Sequence, residues 1–122
     1  MSKFNRYNNQ GVRIEEINLL RATLNEAKEI RDNLIEDVLV FKKIIVDLSM
    51  CEYIDSTFCG ALVFAFKYIK EQGGNIKLVM SNPFMKSTFI FKDIERVFEV
   101  YDTIDEAVRV YQNNGKEIFA SK

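Results

Sequence analysis

Three consecutive polar residues, Asp55, Ser56 and Thr57, are the residues best placed in this sequence to do chemistry. They follow a short polar loop and precede an apolar stretch that indicates a helix. The first N–H groups of a helix have no partner within it and carry partial positive charge, so this position suits a hydroxyl, a carboxylate or a phosphate. Taken alone, Ser56 can be interpreted as the N-cap of that helix, and Asp55 as a capping carboxylate.

A β-α-β unit is predicted to position these residues. The apolar run 44–46 indicates a strand buried on both faces, residues 57–72 indicate a helix closed by two glycines, and residues 76–80 indicate a second strand. A parallel return through a helix is right-handed, which places the loop carrying Ser56 at the carboxyl edge of the first strand. Open α/β sheets place their functional residues at this edge.

The N-terminal part of the chain predicts a hairpin. Residues 3–7 and 12–19 indicate two strands, joined by a polar cluster that ends in Gly11. The alternation of apolar residues breaks at Glu15 and Glu16, which indicates either a bulge or a change of register.

Two capping boxes predict where helices begin. Thr23 and Glu26 have capping-box spacing before a helix with an apolar stripe, and that stripe includes Leu24. Thr103 and Glu106 repeat the spacing before a last helix, which residues 113–115 are predicted to end.

Between the second strand and the last helix, proline at position 83 predicts a short helix over residues 83–91, followed by a strand over residues 97–101. The whole order predicts an α/β layered fold. Its mixed, mostly parallel sheet should have about five strands, with about four helices.

The central stretch resembles the STAS domain, the fold of bacterial anti-sigma factor antagonists. The family pattern is an apolar strand ending in Asp-Leu, then aromatic-apolar-Asp-Ser-Ser/Thr, then Gly-Leu-Gly-x-Leu. The matching segments of this chain are Val46-Asp47-Leu48, Tyr53-Ile54-Asp55-Ser56-Thr57 and Phe58-Cys59-Gly60-Ala61-Leu62. The resemblance covers roughly residues 44–108. Phe58 stands where the family usually has Gly, and the family's Gly-Glu-x-Asp is absent, with residues 20–23 in its place.

The resemblance implies a non-enzymatic regulator that works by partner switching and needs no cofactor. Ser56 is the implied site of phosphorylation, with Thr57 as the runner-up, and Asp55 positions it. The partners implied are an anti-sigma factor that is also a serine kinase, and a phosphatase. The implied partner-binding residues are Tyr53, Asp55, Ser56, Thr57, Phe58, Gly60 and Phe64.

The helix after Ser56 is apolar nearly all round, which leaves two interpretations open. Either Phe58, Phe64 and the helix over residues 83–91 form an exposed partner site, or the helix is fully buried in the centre of a small domain.

Composition limits the function classes. A chain of 122 residues with 48% hydrophobic residues predicts one domain over 1–122, with a core over about 3–112 and a flexible tail over 116–122. The net charge of −1 disfavours direct nucleic-acid binding.

Without histidine, Cys51 and Cys59 cannot form a zinc site or a Cys-His pair, and they are expected to be buried, inert thiols. No apolar run approaches the ~20 residues of a membrane span, and no signal peptide is evident, so we expect a cytoplasmic monomer or weak dimer.

Two other classes are considered. The same fold could serve as a structural subunit of a stress-signalling scaffold or of a lipid ABC transporter. A small enzyme or nucleotide-binding protein is disfavoured, because the chain has neither histidine nor a glycine-rich phosphate loop.

Overall fold

A five-stranded sheet forms the centre of the computed structural model, which describes the backbone of residues 2–120 and the side chains of residues 2–113. The strands of this sheet are β1 (Phe4–Asn9), β2 (Val12–Ile17), β4 (Lys43–Asp47), β6 (Asn75–Val79) and β7 (Val100–Tyr101). Their order across the sheet is β1-β2-β4-β6-β7, and only β1 runs antiparallel to its neighbour. A separate two-stranded parallel sheet pairs β3 (Arg21–Ala22) with β5 (Tyr53–Ile54).

Within residues 2–120, five helices accompany the sheets: α1 (Leu24–Asp37), α2 (Ser56–Glu71), α3 (Pro83–Lys86), α4 (Phe89–Val97) and α5 (Ile104–Ala120). The predicted α/β fold with a mixed, mostly parallel five-stranded sheet is confirmed. The helix number differs from about four because the segment after β6 forms two short helices instead of one.

The predicted hairpin forms through a tight turn. Gln10 and Gly11 both have positive φ, at 55° and 82°, and the Asn8 Oδ1 atom accepts a hydrogen bond from the Gly11 N–H at 2.9 Å. Positive φ at both central positions is the turn geometry that matches strand twist. Pairing between β1 and β2 is continuous, so the predicted bulge or register change at Glu15 and Glu16 is wrong.

The break in alternation at Glu15 has a different cause, because both faces of β2 are covered. Glu15 is fully buried and accepts a hydrogen bond from the Arg6 Nε atom at 2.8 Å. The Arg6 Nη2 atom also donates to the Asp37 Oδ1 atom at 2.7 Å. Burial, followed by the neighbouring Asp37 carboxyl, raises the pKa of Glu15 to about 9. A buried polar network therefore occupies a position where the alternation of apolar residues along β2 predicts an apolar side chain.

Helices cover the sheet on both sides. One face packs on α1 and α2 through a large cluster that includes Ile44 and Val46, while Ile45 packs with Ala107 and Tyr111 of α5 on the other face. The apolar run 44–46 is therefore buried on both faces, as predicted.

Of the two predicted capping boxes, the first forms with both of its hydrogen bonds and the second with one of them. At α1, the Thr23 Oγ1 atom accepts from Asn25 N–H and the Glu26 side chain accepts from Thr23 N–H, so this box is confirmed. Before α5, Thr103 accepts from Glu106 N–H, but Glu106 reaches back to a different amide, that of residue 102.

Three predicted boundaries in the C-terminal part are wrong. The helix predicted over 83–91 is interrupted, because the Thr88 hydroxyl accepts from Phe91 N–H and caps a new helix. That helix continues to Val97, so the last strand is only Val100–Tyr101. Helix α5 continues past Gly115 to Ala120, and the last two residues of the predicted tail lie outside the described residues.

The strands of the sheet end on two opposite sides of the domain. We define the carboxyl edge as the side where β2, β4 and β6 end and where α1 and α2 begin, and the amino edge as the opposite side. The pair β3 and β5 lies at the carboxyl edge, since each follows the end of a central strand. Ser56 is consequently at the carboxyl edge.

No helix in residues 2–120 is long and apolar enough to cross a lipid bilayer.

Candidate functional site

Asp55, rather than Ser56, is the N-cap of α2. The Asp55 Oδ1 atom accepts a hydrogen bond from Phe58 N–H at 2.8 Å, and Ser56 is the first residue of the helix. The interpretation of Ser56 as the helix N-cap is therefore wrong, and the interpretation of Asp55 as a capping carboxylate is confirmed.

The Asp55 carboxylate also caps a second helix. Its Oδ2 atom accepts from the N–H of Leu24, the first residue of α1, at 2.8 Å. The pairing of β3 with β5 brings these segments together, and Asp55 N–H donates to Ala22 C=O at 3.1 Å. One carboxylate thus joins the starts of α1 and α2, so the partial positive charges of two helix N-termini converge on the same place.

The hydroxyls of Ser56 and Thr57 face solvent at this junction. Both residues are exposed, and neither side chain has a hydrogen-bond partner among the described residues. A hydroxyl with these properties is accessible to another protein and can be modified without breaking an existing contact. The two helix starts beside it favour added negative charge.

Phe58 differs from the other predicted partner-binding residues because it is fully buried. Its ring packs in the core on the side of the sheet that carries α1 and α2. The expectation that Phe58 contacts a partner is therefore wrong, and its bulk does not narrow access to Ser56. Tyr53 and Phe64 remain exposed, at 42% and 56%.

A groove of about 410 Å³ runs between α1 and α2 from the junction outward. Thr57, Gly60 and Phe64 line its α2 side, and a Cβ atom added to Gly60 would meet nothing within 4 Å. The Arg31 guanidinium lies 5.9 Å from the centre of the Phe64 ring. Side chains from α1 complete the lining, namely Leu24, Ala27, Lys28 and Arg31.

The α1 side of this groove was missed from the sequence. Leu24 was assigned to the buried stripe of α1, but it is 63% exposed. Its place at the first helical position was the available signal, because a side chain in the first turn can point past the end of the core. Lys28 and Arg31, which also line the groove, were not among the residues predicted to contact a partner.

Further apolar side chains are exposed in the segments that flank this junction or follow β6. The largest are Leu20, Met50, Phe84 and Phe89. On α2 itself, Leu62, Ala65 and Ile69 are buried whereas Phe64 is not. Of the two interpretations of α2, a fully buried central helix is therefore wrong, and part of its apolar surface is exposed.

Both cysteines are free and buried, as expected. Burial raises the pKa of Cys51 to about 12 and also raises the pKa of Cys59. These thiols are protonated at neutral pH and poorly nucleophilic. Within the described residues, no group of three or more His, Cys, Asp or Glu side chains could hold a metal ion.

Asp55→Ala is expected to lower the free energy of unfolding by about 2 kcal/mol, because it removes one cap from each of two helices at roughly 1 kcal/mol per cap. Urea unfolding followed by circular dichroism measures this change. Asp93→Ala is the matched control: Asp93 is an exposed helical acid, 3.6 Å from Arg96, and its loss should cost less than about 0.5 kcal/mol. Equal losses in the two variants would show that the Asp55 carboxylate does not join the helices.

A sequence profile described as the STAS domain matches residues 17–107. A curated relative from Thermotoga neapolitana, provisionally named an anti-sigma factor antagonist, is 33% identical over 72 residues. That alignment covers 59% of this chain and 64% of the relative, so the chain spans less than two thirds of the relative's length.

Two solved structures share the fold. The crystal structure of a provisionally named anti-sigma factor antagonist from Thermotoga maritima has a TM-score of 0.74 and 27% identity, covering 87% of this chain and 92% of that one. The Bacillus cell fate determinant SpoIIAA in its phosphorylated form has a TM-score of 0.64 and 16% identity, covering 87% and 96%. The second likeness shows the fold alone.

Proposed function

The chain belongs to the STAS domain family, and from this we propose that it is an anti-sigma factor antagonist that acts by partner switching. Unphosphorylated, it binds an anti-sigma factor that is also a serine kinase, and so frees a sigma factor. Phosphorylation of Ser56 by that kinase releases the protein, and a phosphatase resets it. The protein itself catalyses no reaction in this cycle, acts in the cytoplasm, and is a monomer or weak dimer.

The observation that carries this proposal is the exposed Ser56 hydroxyl beside the carboxylate that joins two helix starts. A phosphate adds about −1.5 to −2 charge and three acceptor oxygens, and the converging helix N-termini partly stabilise that charge. The protein can therefore carry the modification with little refolding. A partner that covers the same surface must then desolvate a dianion, which opposes binding.

The surface that the partner covers is inferred to include the groove between α1 and α2. The groove begins at Thr57, next to the phosphorylation site, and combines an exposed aromatic ring, Phe64, with two basic side chains, Lys28 and Arg31. Exposed aromatic side chains and Arg are enriched among the residues that dominate binding energy. A partner segment with an apolar anchor and an acidic side chain fits this chemistry.

Gly60→Leu is expected to leave the fold intact but to weaken partner binding, because the new side chain fills the groove. No atom lies within 4 Å of the added Cβ, and a glycine inside a helix is itself unfavourable by about 1 kcal/mol relative to Ala. Thermal unfolding should therefore show an unchanged or raised midpoint, while titration of the partner shows at least a tenfold loss of affinity. Lys67→Leu is the control on the same helix outside the groove. Unchanged affinity in the Gly60 variant would remove the groove from the interface.

The experiment that tests the function is capture of tagged protein from the native host, with partners and the phosphate on Ser56 identified in the same mass-spectrometry run. We expect an anti-sigma serine kinase in the unmodified pool and its loss from the phosphorylated pool. Capture of scaffold or transporter subunits, with Ser56 always unmodified, would instead support the structural alternative.

A further inference from the structure

A basic cleft lies at the amino edge of the sheet, at the end opposite Ser56. It has a volume of about 820 Å³ and is bounded by the starts of β4 and β6, the end of α2 and one side of α5. Its charged lining residues are Lys42, Lys43, Lys70, Lys77 and Glu99. Among the lining residues whose side chains are described, four ammonium groups against one carboxylate give a net charge of +3, whereas the whole chain has a net charge of −1.

Helix ends account for two of these four lysines. The Lys42 Nζ atom donates to the Val38 carbonyl at the end of α1, at 3.1 Å, and Lys70 is in the last turn of α2. Cations at these positions complement the negative end of the helix dipole. Lys43 and Lys77 lie on strands, so this explanation does not extend to them.

Lys77 is unusual because a charged group is buried in the cleft wall. Lys77 is 5% exposed, and its Nζ atom donates to the Glu99 Oε1 atom at 2.8 Å. It also lies 4.8 Å from the centre of the Tyr111 ring. Hydrogen bonds from Lys77 and then from Tyr101 lower the pKa of Glu99. This carboxylate is therefore ionised, and it is already paired with the Lys77 ammonium group.

In the described part of the chain, the other three lysines of the lining are not paired with a carboxylate. Among the described residues, neither Lys42, Lys43 nor Lys70 has a carboxylate within 4.0 Å, and Lys77 takes the single acidic side chain of the lining. Like charges gathered in a concave site raise the local potential and attract counter-ions. An anion with more than one negative charge fits this arrangement.

We propose that this cleft binds a phosphorylated small molecule that carries two or more negative charges. Lysine side chains bind phosphate as mobile point charges, and several of them can adapt to a ligand with more than one phosphate group. The volume of the cleft falls in the range of about 300–1,000 Å³ that is typical of small-molecule sites. A cleft of this size is larger than a single phosphate ion requires. The site is at the other end of the sheet from the partner surface, so it does not depend on the proposed switching function.

Isothermal titration of the wild-type chain with inorganic tripolyphosphate tests the proposal. We expect binding of one ligand per chain that weakens as NaCl is raised. Lys43→Gln/Lys70→Gln should bind at least about tenfold more weakly, because it removes two exposed charges from the cleft. Lys3→Gln/Lys92→Gln, which makes the same change in net charge at exposed positions outside the lining, should bind like the wild type. No binding by the wild type, or an equal loss in both double variants, would overturn the proposal.

The phosphate groups could belong to a soluble molecule or to a lipid head group, and a second arm distinguishes these sources. Vesicles of phosphatidylcholine with phosphatidic acid, whose phosphomonoester head group carries up to two negative charges, are sedimented with each protein, with and without tripolyphosphate. Tripolyphosphate binding without vesicle binding supports a soluble ligand. Vesicle binding that tripolyphosphate displaces, and that Lys43→Gln/Lys70→Gln loses, supports a lipid head group at the same cleft.

Discussion

Ser56→Asp is expected to weaken binding of the anti-sigma partner about a thousandfold, whereas Ser56→Ala retains the affinity of the wild type. The hydroxyl is exposed and has no hydrogen-bond partner among the described residues, so its removal costs the free protein little. A fixed negative charge at the same point must be desolvated against a surface that accepts a neutral hydroxyl. Such a mismatch can cost several kcal/mol, and about 4 kcal/mol corresponds to a thousandfold change in affinity.

Titration of the purified partner with each variant measures the effect. Ser2→Asp introduces the same charge at an exposed position before β1 and should bind normally. Full affinity in Ser56→Asp would contradict the switching mechanism. A loss confined to Thr57→Asp would move the phosphorylation site by one residue, to the runner-up.

Phe58→Ala is expected to lower the free energy of unfolding by about 3–5 kcal/mol. The ring is fully buried in the core beside α1 and α2, and its removal leaves a cavity that the surrounding side chains cannot fill. Urea unfolding followed by circular dichroism gives the change in free energy.

Phe64→Ala provides the matched control on the same helix. Its ring is 56% exposed, so its loss should cost less than about 1 kcal/mol of stability while weakening partner binding. Phe58→Ala should therefore lower the stability of the fold, whereas Phe64→Ala should mainly weaken partner binding. If Phe58→Ala unfolds as easily as Phe64→Ala does, the ring at position 58 is not part of the core.

The elements that the sequence predicted well are those with local causes. The apolar run 44–46 indicates a strand covered on both faces, and the capping box of Thr23 and Glu26 places the start of α1 to the residue. The positive-φ turn at Gln10 and Gly11 likewise follows from residue type. Each of these signals is contained within a few neighbouring positions.

The elements that the sequence did not predict depend on distant partners. Strands β3 and β5 have two residues each, too short for any periodicity, and they exist because Ala22 pairs with Ile54 across the fold. Glu15 is buried because Arg6 and Asp37 surround it, and neither is its sequence neighbour. Such features appear only once the tertiary structure is known.

The residues of the candidate site were likewise predicted only in part. The family pattern was enough to select Asp55 and Ser56, because the motif is contiguous. The direction of two side chains was not predictable, since Phe58 turns inward and Leu24 turns outward. Both directions follow from the side-by-side placement of α1 and α2, which pack through the shared apolar core and share the Asp55 carboxylate at their starts.

The shared cap at Asp55 has a consequence for the motions of the two helices. When the first turn of α2 opens, the Asp55 carboxylate moves away from the Phe58 amide, and the Leu24 amide of α1 loses its acceptor in the same event. We therefore expect these two amide hydrogens to exchange with solvent through one common opening reaction, rather than through independent fraying of two helix ends. A phosphate on Ser56, beside this shared acceptor, should therefore change the exchange rates of both amides rather than of one alone.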